Sequence, residues 1–181
     1  MKETILAIDP GLRATGVAVI DHRSRLRHAS VIATRADESA ERRIREIATR
    51  VDELIRFYSP GLLILEATWP TSSLVTSLTH RVALACRWRA RAHRVPSARI
   101  PATTLRRILL GDGWAGKWRV ASQMVSIFPE LRVYLHRERA WKDRYFQNLF
   151  DAVALAIFAR RYPGDLQWTS SPHRTPRHRD R

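Results

Sequence analysis

Two carboxylates close strongly apolar segments of this chain, and a third opens the apolar part of its last helical stretch. Asp9 follows Ile-Leu-Ala-Ile, Glu66 follows Leu-Leu-Ile-Leu, and Asp151 precedes Ala-Val-Ala-Leu-Ala-Ile. Acids at the ends of buried strands are unfavourable unless hydrated, paired or bound to a cation. If the first and fourth strands are neighbours, Asp9 and Glu66 lie side by side, and Asp151 can close the group from a packed helix. Clustered carboxylates repel one another, and a hard, oxygen-ligated cation such as Mg²⁺ relieves that repulsion. Two such ions about 4 Å apart supply what phosphodiester hydrolysis needs: an oriented attacking hydroxide and a neutralised leaving 3′ oxygen. Singly, each acid has an ordinary alternative. Asp9 can be a turn residue before Pro10-Gly11, Glu66 an Arg partner at a strand end, and Asp151 a solvated helix residue.

The overall charge points the same way. The 181 residues hold 32 Lys and Arg against 17 Asp and Glu, a net charge of +15. Such a field attracts polyanions, and each phosphate that is neutralised releases condensed counterions. An acidic cluster within so basic a chain is hard to explain as a solubility device. No stretch approaches the roughly 20 apolar residues that cross a bilayer. The N-terminus runs into an apolar strand without a leader layout, and the lone Cys86 excludes an internal disulfide and a zinc set. The expectation is a cytoplasmic protein whose partner is nucleic acid and not a membrane.

The elements that must position these acids follow from apolar patterning. Strands are expected at 3–9, 14–20 and 25–33, separated by short turns that suit antiparallel hairpins. A helix is expected over 38–58, from the spacing of Ile44, Ile47, Val51, Leu54, Ile55 and Tyr58, and Ser59-Pro60-Gly61 stops it. The unbroken run 62–65 reads as a strand buried on both faces. Thr71 or Ser72 would cap a helix running to about 93. A short strand falls in 95–100, a short helix opens at Thr103, and a further helix spans Lys117 to Phe128. Residues 130–145 are charged, and their pattern does not decide between helix and strand. The last helix covers about 146–161, with Phe146, Leu149, Phe150, Val153, Ala154 and Ile157 on its apolar side. The expected division is one folded domain over 1–162 and a flexible basic tail over 163–181 carrying Arg174, Arg177, Arg179 and Arg181.

Four blocks carry a family resemblance. Ile-Leu-Ala-Ile-Asp-Pro-Gly-Leu-Arg-Ala-Thr-Gly at 5–16 resembles the opening motif of the RuvC-type Holliday-junction resolvases, and Leu-Leu-Ile-Leu-Glu-Ala at 62–67 their second acidic strand. Leu-Gly-Asp-Gly-Trp-Ala-Gly-Lys-Trp-Arg-Val-Ala-Ser-Gln-Met-Val at 110–125 resembles their Gly-rich loop and following helix. Asp-Ala-Val-Ala-Leu-Ala-Ile at 151–157 resembles their terminal acidic helix. The resemblance implies an RNase H-like α/β fold, a mixed five-stranded sheet whose first three strands are antiparallel, with helices on both faces. It implies a structure-selective endonuclease that nicks four-way junctions symmetrically, leaving 5′-phosphate and 3′-hydroxyl ends. Asp9, Glu66 and Asp151 would hold Mg²⁺, two ions per site with Mn²⁺ as a substitute. Lys117 would act on phosphate charge at the catalytic centre, Arg106 would contact DNA, and Trp69 would stack on bases near the junction centre. Trp114 and Trp118 flank the Lys117 loop and are secondary stacking candidates. The helix over 72–92 would form a homodimer interface that presents two sites to a two-fold junction. The sequence does not identify a protein partner such as a branch-migration helicase.

One position departs from the family pattern. Two acids three residues apart are usual at the start of the final helix, and here the pair is Asn148 and Asp151. An amide offers a neutral oxygen that can ligate Mg²⁺, but it cancels less charge and cannot act as a base. Asn148 is therefore an uncertain fourth ligand, with Asp143 or Glu138 as possible replacements. It also motivates an alternative: a catalytically weak or inactive RNase H-like protein that binds branched DNA.

Overall fold

The computed structural model describes residues 3–69, 73–135 and 140–169, with only the backbone of 140–144. Strands β1 (Ile5–Asp9), β2 (Ala14–Ile20) and β3 (Leu26–Ala33) are followed by α1 (Ala40–Tyr58) and β4 (Leu62–Glu66). Next come α2 (Leu74–Ala92), β5 (Ser97–Ile100), α3 (Ala102–Leu110), α4 (Lys117–Ile127) and α5 (Ala140–Arg161), then a two-residue strand β6 (Gln167–Trp168). The sheet order is β3-β2-β1-β4-β5-β6. The first three strands are antiparallel, β1, β4 and β5 run parallel, and β6 returns antiparallel.

Alternation along the strands divides the core between the two sheet faces. Leu6, Ile8, Val17, Val19, Leu63 and Leu65 face α1 and α2. Ile5, Ala7, Ala18, Ile20, Leu62, Ile64, Ala98 and Ile100 face α5, with α3 and α4 behind it. A strand covered on both sides carries no polar alternation, which is why 62–65 reads as an unbroken apolar run. Ser39 caps α1 through its side chain, which accepts from the Arg42 N–H, and Ser59 ends that helix in the left-handed conformation.

The structure differs from the sequence expectations at several places. The sheet gains a sixth strand at 167–168, within the stretch expected to be a tail. Leu166 is buried there, and the Thr169 N–H donates to the Ser97 carbonyl at 3.0 Å, so the segment is tied to β5. Residues 170–181, with the tail arginines, lie outside the described residues. The final helix begins at Ala140, not near 146. It is also buried around its whole circumference: Ala152, Leu155, Ala156, Phe158 and Ala159 are as enclosed as the expected apolar face. A helix sandwiched between a sheet and other helices shows little amphipathic period. At the start of the charged stretch, Pro129–Tyr134 forms a 3₁₀ turn. Ser73 occupies the α2 N-cap position, while Thr71 and Ser72 lie outside the described residues. Among the described residues no helix is long and apolar enough to cross a membrane.

The seat of α5 is unusually tight. A β-carbon built on Gly16 would come within 1.7 Å of the Asn148 carbonyl oxygen. Both atoms belong to, or hang directly from, the backbone, so neither strand nor helix can turn aside. Gly16→Ala must displace α5 from the sheet. The expected cost is about 3 kcal/mol, a fall of roughly 6–12 °C in the melting midpoint for a chain of this size. Thermal melting followed by circular dichroism checks it, and a midpoint within about 2 °C of wild type would contradict it.

Candidate active site

The parallel strands bring the first two acids together. The last paired residues of β1 and β4 are Ile8 and Leu65, so Asp9 and Glu66 stand one step further along neighbouring strands about 4.8 Å apart. Both follow the alternation onto the α5 face, where Asp151 projects from the helix. Asp9 and Asp151 are buried. Burial, then the charges of Glu66 and Asp151, hold the Asp9 carboxyl well above its ordinary range. Burial and the neighbouring Asp151 push Glu66 up to about 7. Asp151 is raised by burial, against the hydrogen bond it accepts from the Gln147 Nε2 at 3.2 Å.

Two cations answer this cluster. Arg106 on α3 and Lys117, the first residue of α4, lie close enough to favour the charged form of all three acids. Arg107 is exposed and makes no such contribution, so of the two adjacent arginines Arg106 is the one at the site. The α4 N-terminus has Gly116 at its cap and no side-chain capping bond, which leaves backbone N–H groups beside Lys117. The loop before it is held by Asp112, which accepts from the Trp114 N–H at 2.9 Å and from Arg119 at 3.5 Å. Trp114 is 88% exposed and Trp118 44%.

Asn148 has a different setting. Its Nδ2 donates to the Ala14 carbonyl at 2.5 Å, tying α5 to the start of β2. The chemistry fixes the amide orientation, since a carbonyl can only accept. The nitrogen is thus committed, and only the Oδ1 can be offered to a cation. Glu138 and the side chain of Asp143 lie outside the described residues. Gln147 is a site residue that motif reading passed over. It is buried against Asp151 and lines a cavity of about 210 Å³ with Lys117, Trp118, Tyr134 and Phe150. Its signal in the sequence was an amide one helical turn before the acid on the enclosed side of α5.

The donor set suits a hard divalent cation: oxygens only, drawn together by the fold, and raised in pKa by burial and mutual repulsion. Among the described residues no three of His, Cys, Asp and Glu are already closed into a ligand shell. Carboxylates without a counter-ion keep apart, and an ion of charge +2 reverses that balance.

Comparison with known proteins agrees with the geometry. The family model described as crossover junction endodeoxyribonuclease RuvC matches residues 5–158. The chain belongs to the RuvC family. The Neisseria meningitidis serogroup A crossover junction endodeoxyribonuclease RuvC is 31% identical over 130 residues, covering 68% of this chain and 71% of that protein. The enzyme of the same name from Granulibacter bethesdensis is 33% identical over 129 residues, covering 69% and 72%. Thermus thermophilus RuvC superposes with a TM-score of 0.70 at 23% identity, over 91% of this chain and 99% of that one. The T. thermophilus RuvC in complex with Holliday junction substrate gives 0.72 at 22% identity, over 91% and 98%. At these identities the structural matches establish the RNase H-like fold expected of RuvC.

Two outcomes follow for the protein without divalent ions. The folded state retains protons on Glu66 that the unfolded chain has released, so stability falls as pH rises from the ordinary carboxyl value of 4.5 through about 7. Melting in EDTA should show this decline, and Glu66→Gln should flatten it; an unchanged slope in that variant would refute the assignment. Asn148→Asp sets a carboxylate oxygen against the Ala14 carbonyl with no proton to donate. It should cost about 1–3 kcal/mol in EDTA, read by denaturant unfolding, with Asn148→Ala no worse than the acid.

Proposed function

We propose that this RuvC family member resolves four-way DNA junctions by divalent-ion-dependent nicking, leaving 5′-phosphate and 3′-hydroxyl ends. The observation that carries the reading is the three mutually repelling carboxylates Asp9, Glu66 and Asp151, opposed by Arg106 and Lys117, at one edge of a strongly basic molecule. Asp9, Glu66 and Asp151 would hold Mg²⁺, or Mn²⁺ in its place, as two ions per site. Those ions, when bound, activate water and neutralise charge at the leaving oxygen. Lys117 and the open N-terminus of α4 receive the phosphate whose charge grows during transfer. Arg106 holds the same strand from α3. Gln147 keeps the Asp151 carboxylate turned into the cluster. Asn148 contributes chiefly by locking α5 onto β2, which leaves its Oδ1 as a candidate fourth ligand.

Trp69, three residues beyond Glu66 and 53% exposed, is placed to stack on a base released at the branch point. A homodimer would supply two sites to a two-fold substrate. Leu74 and Trp88 of α2 support this, being exposed apolar side chains on the side of the helix away from the Val82, Ala83, Cys86 and Ala90 face that packs inside.

Cleavage of an end-labelled mobile junction, with Mg²⁺ or EDTA, tests the proposal. Paired nicks that need the ion, and a loss of more than about 100-fold in Asp9→Asn, are expected. Tight junction binding with no nicking in Mg²⁺ or Mn²⁺ would instead support the second reading, a branched-DNA-binding protein. That reading is favoured by the commitment of Asn148 to Ala14, and absence of both binding and cleavage would overturn the two together.

A further inference from the structure

At the same edge of the sheet, but on the opposite face from the carboxylates, two guanidinium groups meet an indole. Arg99 shares its register with Leu65, whose side chain belongs to the α1–α2 side of the core, so Arg99 faces α2. Its guanidinium carbon lies 4.2 Å from the Trp69 ring centroid, a close cation–π stack. Arg87, on α2, sits near enough for its charge to be felt: burial, then Arg99, depresses its pKa. The Arg87 Nη2 donates to the Thr169 carbonyl at 3.4 Å, while its Nε is buried with no hydrogen-bond partner among the described residues. Among those residues neither Arg87 nor Arg99 has a carboxylate within ion-pair distance. Two like charges held together without an acid, with a donor left over, form an anion site in search of its anion.

We propose that Trp69, Arg99 and Arg87 form a nucleotide-holding site for an unpaired DNA strand, distinct from the catalytic centre. The inference rests on the reading of Trp69 as a base-stacking residue and adds its partners. Arg99 covers one face of the indole, so one base stacks on the other, making an Arg–Trp–base sandwich. The planar forks of Arg99 and Arg87 then take the phosphate of that nucleotide. Stacking tolerates every base and requires that it be out of the duplex, so the site selects for strand opening and not for sequence. Three residues of chain separate Trp69 from Glu66, a span of at most about 10 Å. A strand leaving the carboxylates over the sheet edge therefore reaches the Arg pair within a few nucleotides of the scissile bond.

The test uses the full chain in EDTA, with a short oligothymidylate carrying one 2-aminopurine, titrated at several salt concentrations. Arg99→Gln and Arg87→Gln should each reduce the slope of log K against log salt by about 0.7, the value for one phosphate on a single strand. Arg99→Lys should keep that slope while weakening the change in 2-aminopurine fluorescence. Trp69→Ala should remove the fluorescence change and keep the slope. Unchanged slopes in both glutamine variants, at wild-type melting midpoints, would overturn the site. If Arg87→Gln loosens β6 through Thr169, the Arg99 pair of variants still decides. Junction cleavage that fails while these slopes fall would sink the resolvase reading and leave this site standing.

Discussion

The contact between the backbone of α5 and Gly16 sets the distance at which everything else is built. With no side chain between them, helix and strand approach as closely as main-chain atoms allow. Asn148 fastens the same point through the Ala14 carbonyl, and Asp151, one turn on, is carried down to the level of Asp9 and Glu66. A helix held a few ångströms further out would leave the third carboxylate short of the other two. The enclosed circumference of α5 serves the same end, since Leu149 to Ala159 find apolar neighbours in every direction and the helix has no freedom to roll.

That placement creates an electrostatic problem that the rest of the site answers. Three acids forced together in a dry setting resist ionisation, as the upward displacement of each carboxyl records. Arg106 and Lys117 reduce the penalty from the rim without entering ion pairs with the acids. Phosphate and cation can therefore both be accommodated: the acids remain open to a metal, the bases to a polyanion. The basic excess of the chain as a whole draws DNA in, and the acidic centre is a small inversion within that field.

Much of this was legible in residue order. Asp9 and Glu66 announced themselves because each ends a run of side chains too apolar to be exposed, and a strand pattern fixes which face its last residue takes. The early hairpins, α1 with its Ser59 stop, and the loop before Lys117 were readable from turn chemistry and periodicity. What escaped depends on contacts distant in sequence. β6 is too short and too polar to register as a strand until Ser97 is beside it. The roundabout burial of α5 looks like a weak amphipathic pattern when the neighbours are unknown. Arg99 and Trp69, 30 residues apart in sequence, carry no local sign of their stack. In a chain with so many arginines, nothing in the string singles out the one that stacks on Trp69. Asn148 was recognised as a departure, but its bond to Ala14 is a fact of the third dimension.

The separation of 134 residues between Asn148 and Ala14 also has a bearing on how the molecule comes into being. Contacts between the last helix and the first hairpin are among the most non-local the chain can make, and such closures slow folding. While the ribosome is still releasing α5, the sheet already possesses two of its acids but lacks the third, and one broad apolar face stands uncovered. Assembly of the reactive centre therefore waits on the docking of α5. A nascent nuclease built in this order acquires its cutting edge only after α5 has been made. The interval before α5 docks is the one in which the chain is most exposed to aggregation.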